Sequence, residues 1–258
     1  MLTDSDGKVL AFWWDDQPNF GDLLTPWLIS KITGRDVAFS DRSTPHYVAI
    51  GSIIGYVKPG AIVWGTGSFG TEGKAKIEAN AEYLAVRGPL TRNKLRIHRI
   101  ACPPVYGDPA LLVPEFYWPR VEKEYELGIV LRHSEEGLLE KYKESGVKVI
   151  WLKNDDVEQT IRDMLACKRI LTSSLHGLIL ADAFKIPNAW MVTGTPHGLE
   201  FKYFDYFLSV GKVRKSYDTA IMKESWSLGK ILKDVHFDGR DIELDLKPLR
   251  KVCPFGKI

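Results

Sequence analysis

Short apolar runs that end in small residues alternate with longer stretches of helical period along most of this chain. Lys8–Trp14 reads as a first strand and Phe20–Gly34 as a helix, with apolar Leu23, Leu24, Trp27, Leu28 and Ile32 close to helical spacing. Tyr47–Ser52, Ala61–Gly67 and Tyr83–Gly88 predict further strands, and Gly88–Ile97 a helix with Pro89 in its first turn. Val105–Tyr117 is a turn-rich connection. Around Pro119–Glu126 the chain turns polar, and a second series follows. It contains a strand over Leu127–His133, a helix over about Glu135–Ser145, a strand over Val147–Trp151, a helix over Asp155–Cys167 and a strand over Arg169–Ser173. An apolar helix then stops before Ile186 and Pro187. Strands alternating with helices predict mostly parallel sheets covered on both faces. The polar break divides residues 1–120 from 121–258. Two α/β halves of comparable size imply a cleft between them, with ligands at the carboxyl ends of the strands.

Composition narrows the class of protein. A chain of 258 residues with 45% hydrophobic and 26% charged residues is that of an ordinary globular enzyme. Lysine and arginine total 35 against 33 acidic residues, a net charge of +2, which gives no electrostatic case for a nucleic-acid partner. Cys102, Cys167 and Cys253 lack CxxC spacing and are odd in number, which argues for a reducing compartment. No basic leader with an apolar run and no membrane-length apolar window is present, so a cytoplasmic protein is expected. No metal-ligand spacing such as HExxH occurs, and Ser174 lies outside a GxSxG elbow, so neither a metal site nor a serine hydrolase is expected.

The most chemical stretch is Thr172–Trp190, where a strand gives way to a helix. Ser173 and Ser174 suit the N-cap, and the free amides of the first turn, at the positive end of the helix dipole, bind anions. His176 lies in that turn and can donate a hydrogen bond or a proton, while Gly177 removes a side chain that would block close approach. Capping and packing alone also account for these residues. Other strand ends can converge on the same cleft. Asn19 and Asp22 open the first helix, where Asp22 can act as a base or merely pair with the dipole. Gly65, Gly67 and Gly70 follow an apolar strand loosely in the manner of a dinucleotide fingerprint, without its acidic partner. Arg87, rigid at a strand end, offers a planar fork to a carboxylate or phosphate. Asp108 caps a short helix before Pro109 or serves as a carboxylate in the site, and Lys202 is a cation within reach of an anion. The basic run Arg92, Lys94, Arg96 and Arg99 reads as a solvated face.

Taken in order, NFGD, WGTGS, VRGP, YGDPALL, SSLHGLILADAFKIP and FKYFDYFLSVG resemble the polysaccharide pyruvyl transferase family, the xanthan-type ketal pyruvate transferases above all. The resemblance runs from about Phe12 to Gly211. It implies two Rossmann-like domains facing across a cleft, GT-B-like, with an N-terminal acceptor side and a C-terminal donor site. It also implies transfer of pyruvate from phosphoenolpyruvate to two hydroxyls of a hexose in a lipid-linked exopolysaccharide repeat unit. On that reading Arg87, Ser174, Leu175, His176 and Gly177 hold the donor, and Ser174 stands where many relatives have arginine. His176 is the acid, Asp22 or Asp108 activates the sugar hydroxyl, and Asn19, Asp22, Gly65, Gly67 and Lys202 meet the acceptor. No cofactor is required, and a lipid-linked acceptor implies peripheral contact with the inner face of the cytoplasmic membrane. The basic tail, Lys247, Arg250, Lys251 and Lys257, would assist there or is simply a solvated end. The competing readings are a GT-B nucleotide-sugar glycosyltransferase and a non-catalytic carbohydrate-binding protein.

Overall fold

The computed structural model describes residues 1–194, 200–218, 227–256 and 258. In the first half β1 (Val9–Phe12) leads into α1 (Phe20–Thr33), followed by β2 (Val37–Phe39), β3 (Tyr47–Val48), β4 (Ile62–Trp64) and β5 (Glu82–Ala85). Then come α2 (Pro89–Ile97) and the short α3 (Val113–Phe116). In the second half β6 (Leu127–Leu131) and β7 (Val147–Trp151) precede α4 (Val157–Leu165). β8 (Ile170–Thr172), α5 (Leu175–Ala183), β9 (Asn188–Val192), α6 (Phe201–Val210) and β10 (Ser216–Asp218) follow. Two terminal helices, α7 (Leu228–Asp234) and α8 (Lys247–Lys251), complete the described elements.

The fold is α/β, with two five-stranded sheets whose neighbouring strands all run parallel. The first sheet has the order β2-β1-β3-β4-β5 and the second β10-β9-β8-β6-β7. Read from its other edge, the second sheet repeats the pattern of the first: the opening strand sits between the second and third strands of its own half. Each sheet therefore has one point at which the winding reverses, between β1 and β3 and between β6 and β8. At such a point neighbouring loops diverge and leave a crevice beyond the carboxyl ends of the strands.

Local chemistry sets the element ends as the sequence predicts. Asn19 caps α1 through its side chain, and Gly34 closes the helix in the left-handed region at φ 65°. Pro89 opens α2, and Ser174 caps α5. The helix expected over Glu135–Ser145 is instead two short 3-10 turns, Glu136–Leu138 and Glu140–Tyr142. The Glu135 carboxylate explains the difference: it accepts the Arg132 backbone N–H at 2.8 Å and the Arg132 guanidinium, folding the chain back on itself. Gly137 further weakens a helix here. β2, β9 and β10 carry no strong alternation, and the reading from sequence passed over them.

The halves share packing. One apolar core joins Trp64, Leu111 and Leu112 of the first half to Leu178, Leu180 and Tyr206 of the second. Past α7 the chain returns to the first half, where Trp64 Nε1 donates to the Leu249 carbonyl at 3.0 Å and Phe255 packs on Tyr47. Within the basic tail, Arg250 pairs with Glu115, and Lys257 lies outside the described residues. No helix among the described residues is long and apolar enough to cross a membrane.

Candidate functional site

A cavity of about 540 Å³ lies where the two winding reversals face each other. The segment after β1 contributes Trp14, and that after β3 contributes Ser52 and Ile53. From the other half, β6 delivers Arg132, His133 and Ser134, and β8 delivers Ser174, Leu175 and His176. Asn19 and Asp22 enter from the first turn of α1, and Lys202 from the first turn of α6. A larger, open hollow of about 990 Å³ on the first half collects Arg92, Arg96 and Arg99; it shares no residue with the cleft and contains no histidine.

His176 sits against α1 so closely that a Cβ on Gly21 would fall 2.0 Å from its Nδ1. Its Nε2 is buried with no hydrogen-bond partner among the described residues. An orphaned buried polar atom costs about 1–3 kcal/mol, a debt that a ligand discharges. Burial, with the charges of Lys202 and Arg87, drives the imidazole down to about 3, so the ring is neutral at pH 7. Asp22 lines the same cavity and is buried, with Asn19 Nδ2 donating to its Oδ2 at 2.6 Å. Burial pushes this carboxyl up to about 7 despite the Asn19 hydrogen bond and the charge of Lys202. Lys202 is brought down to about 8 by burial and by repulsion from Arg132 and Arg87, and its Nζ lies 5.4 Å from the centre of the Phe69 ring. The cleft thus places a neutral imidazole, a carboxyl that ionises near neutrality and a cation near its titration point together.

The other residues singled out from the sequence stand behind this wall. Arg87 is fully buried, and its Nε donates to Asp205 at 3.2 Å, one terminal nitrogen to Ser52 Oγ at 2.6 Å and the other to the Ser68 carbonyl at 2.8 Å. It meets the cavity through Ser52 and through its charge. Gly65 and Gly67 line no part of the cavity: a Cβ on Gly65 would strike Pro109 Cδ at 2.2 Å, and one on Gly67 would strike Arg87 Cζ at 2.1 Å. These glycines make room for the protein itself. Gly177 does likewise, since its Cβ would lie 2.3 Å from Thr172 Oγ1. Asp108 is completely buried, accepts the Ala110 N–H at 3.0 Å as a cap, and is pushed up to about 6 chiefly by burial. It lies off the cavity lining that Asp22 joins.

Reasoning from sequence passed over Arg132, His133, Ser52, Tyr56 and Phe69 as parts of this cavity. The signal was available for Arg132, which leaves the first strand of the second half at its carboxyl end, the position Trp14 occupies in the first. Arg132 is held by Glu135, with its terminal nitrogen also donating to Thr193 Oγ1 at 2.9 Å, and Ser173 Oγ donates to the same carboxylate. Trp14 packs on His133 across the cleft, with ring centroids 5.5 Å apart.

Comparison with known proteins gives the family of the chain. The family model for polysaccharide pyruvyl transferase matches residues 36–194, a span that includes the β6 and β8 ends but neither Asp22 nor Lys202. An uncharacterized protein of Acanthamoeba polyphaga mimivirus is 28% identical over 214 residues, covering 77% of this chain and 73% of the relative. The succinoglycan biosynthesis protein ExoV of Rhizobium meliloti is 27% identical over 257 residues, covering 90% of this chain and 73% of the relative. No solved structure matches the chain significantly. With the model covering more than half of its length, this chain belongs to the polysaccharide pyruvyl transferase family and is a pyruvyltransferase.

Proposed function

We propose that the cleft transfers pyruvate from phosphoenolpyruvate to two hydroxyls of a hexose in a lipid-linked exopolysaccharide repeat unit, forming a cyclic ketal. The observation that carries this reading is the pairing of Asp22, ionising near 7, with Lys202 and Arg132 around His176 in one cavity. An enol phosphate bearing a carboxylate needs cationic groups for its two anionic ends, and a sugar hydroxyl needs a base. The name of the succinoglycan relative supports a glycan acceptor.

The reaction balances as follows. Asp22 takes the proton of the first sugar hydroxyl as its oxygen attacks C2 of the donor, and a proton is delivered to C3, turning the methylene into a methyl group. The C2–O bond to phosphate then breaks, and the electron pair leaves with phosphate. The second hydroxyl closes on C2 and gives up its proton, which phosphate accepts. Lys202 and Arg132 hold the anionic ends, with the first-turn amides of α5 after Ser174, and Arg87 adds its charge from behind Ser52. His176, neutral on its own, donates an N–H to the donor. Burial is the main cause of that neutrality, and a dianionic phosphate held against the ring both favours its charged form and offsets the charges of Lys202 and Arg87, which makes the imidazolium available as the acid at C3. Two facing α/β halves suit a GT-B-like arrangement, and the acceptor's lipid places the enzyme at the inner face of the cytoplasmic membrane.

Release of inorganic phosphate from phosphoenolpyruvate tests the reading. We expect release only when a hexose-terminated acceptor is present, with His176→Ala slower by about a hundredfold. Consumption of a nucleotide sugar in place of phosphoenolpyruvate would overturn it.

A further inference from the structure

Beyond the cavity mouth, aromatic rings continue in a row. Tyr56, on the cavity wall, stacks on Phe12 with centroids 5.9 Å apart and planes 27° from parallel. Phe39, at the end of the edge strand β2, lies 5.7 Å from the same Phe12 ring and meets Trp13 edge-on at 5.0 Å. Phe12 is buried, whereas Tyr56 and Phe39 are 42% and 44% exposed. Single exposed aromatics need no explanation, but two that share a buried ring and lead out of a ligand cavity form a surface. The rim of that surface is polar. Arg42, held in the left-handed region at φ 69°, places its guanidinium 4.4 Å from the Phe12 centroid and 5.7 Å from that of Tyr56. Its Nε is buried without a hydrogen-bond partner among the described residues. Exposed Asp41 and Ser43 flank it.

We propose that this shelf is a second saccharide subsite, holding the sugar that precedes the pyruvylated hexose, so that the enzyme acts on oligosaccharides in preference to single hexoses. The proposal rests on the pyruvyl-transfer reading of the cavity. A pyranose ring presents a patch of C–H bonds with slight positive charge, which suits the negative face of an aromatic ring, and its edge carries hydroxyls that need donors and acceptors. Flat exposed rings bordered by an arginine and a carboxylate offer both. Tyr56 belongs to the cavity and to the shelf, so the two surfaces are continuous, and a chain entering the cavity at its terminal hexose lays its next ring there.

The test compares acceptors that share a terminal hexose, methyl β-glucopyranoside with methyl β-cellobioside and methyl β-galactopyranoside with methyl β-lactoside, in the phosphate-release assay. The disaccharide should show a KM lower by about tenfold, the worth of one good ring contact. Phe39→Ala should abolish that advantage, and Phe39→Tyr should keep it and report intact folding. Equal KM values for one and two sugars, or an advantage that survives in Phe39→Ala, overturn the shelf. Saturation-transfer NMR of the same disaccharides reads it without turnover. Protons of the reducing-end ring should receive saturation in the wild type and lose it in Phe39→Ala. Saturation confined to the terminal ring overturns the shelf and leaves pyruvyl transfer standing. Binding of both rings without phosphate release overturns pyruvyl transfer and leaves the shelf.

Discussion

On the proposed roles, Asp22 and Lys202 set the working pH of this site. Each is shifted toward neutrality mainly by burial, the carboxyl upward to about 7 and the ammonium downward to about 8. The sign follows from the roles. As the proposed base, Asp22 has to be ionised to accept a hydroxyl proton, so kcat/KM is expected to rise as pH passes about 7; as the proposed anion holder, Lys202 has to be charged, so kcat/KM is expected to fall as pH passes about 8. A narrow bell between those values is expected from initial rates at limiting substrate, and Asp22→Asn should remove the rising limb along with most of the rate. A flat profile from pH 6 to pH 9 would contradict the assignment. Sequence named both residues but left Asp22 level with Asp108, because each lies at the start of a helix and burial is a property of the folded chain. The difference is geometric: Asp22 lines the cavity, whereas Asp108 lies off it, with Oδ1 capping the Ala110 amide and Oδ2 buried without a hydrogen-bond partner among the described residues.

The first turns of α1 and α5 meet, and glycine at position 21 is what allows it. Gly21 lies in the helix, where alanine is favoured by propensity, yet the added Cβ would overlap His176 Nδ1. Gly21→Ala should therefore leave the unfolding midpoint near that of the wild type while displacing the histidine and lowering turnover by about a hundredfold. Full activity in a folded Gly21→Ala protein would separate His176 from the chemistry. The caps of α1 and α5 were legible, since Asn19 and Ser174 are of the residue types that caps require. The purpose of the glycines was not. Sequence marks a missing side chain but not what fills its space, and Gly65, Gly67 and Gly177 turn out to admit Pro109, Arg87 and Thr172.

At the scale of the whole molecule, Arg87 and Asp205 tie one half to the other. Asp205 on α6 accepts from Arg87 Nε and from both the N–H and the hydroxyl of Thr91, and neither side chain of the ion pair is exposed. Lys202 stands one turn earlier on the same helix, so the pair also fixes the cation in the cleft. Breaking it leaves a buried charge uncompensated, at a cost of about 3–5 kcal/mol. Chemical denaturation of Arg87→Ala should show that loss, and a change below about 1 kcal/mol would mean that the arginine is free to serve a ligand directly. The alternation of strands and helices made two α/β halves legible. The reversal points did not emerge, because strand order depends on which edge each crossover chooses, and short strands such as β2 and β10 carry too few residues to announce themselves.

On the proposed function, the cleft at these paired reversal points makes a pyruvate ketal. The most direct measurement follows phosphoenolpyruvate isotope-labelled at C2 by carbon NMR in the presence of a hexose-terminated oligosaccharide. A new ketal carbon bonded to two sugar oxygens is expected, equal in amount to the phosphate released and absent with His176→Ala or Asp22→Asn. Label recovered only as free pyruvate, or a ketal formed undiminished by both variants, would contradict it.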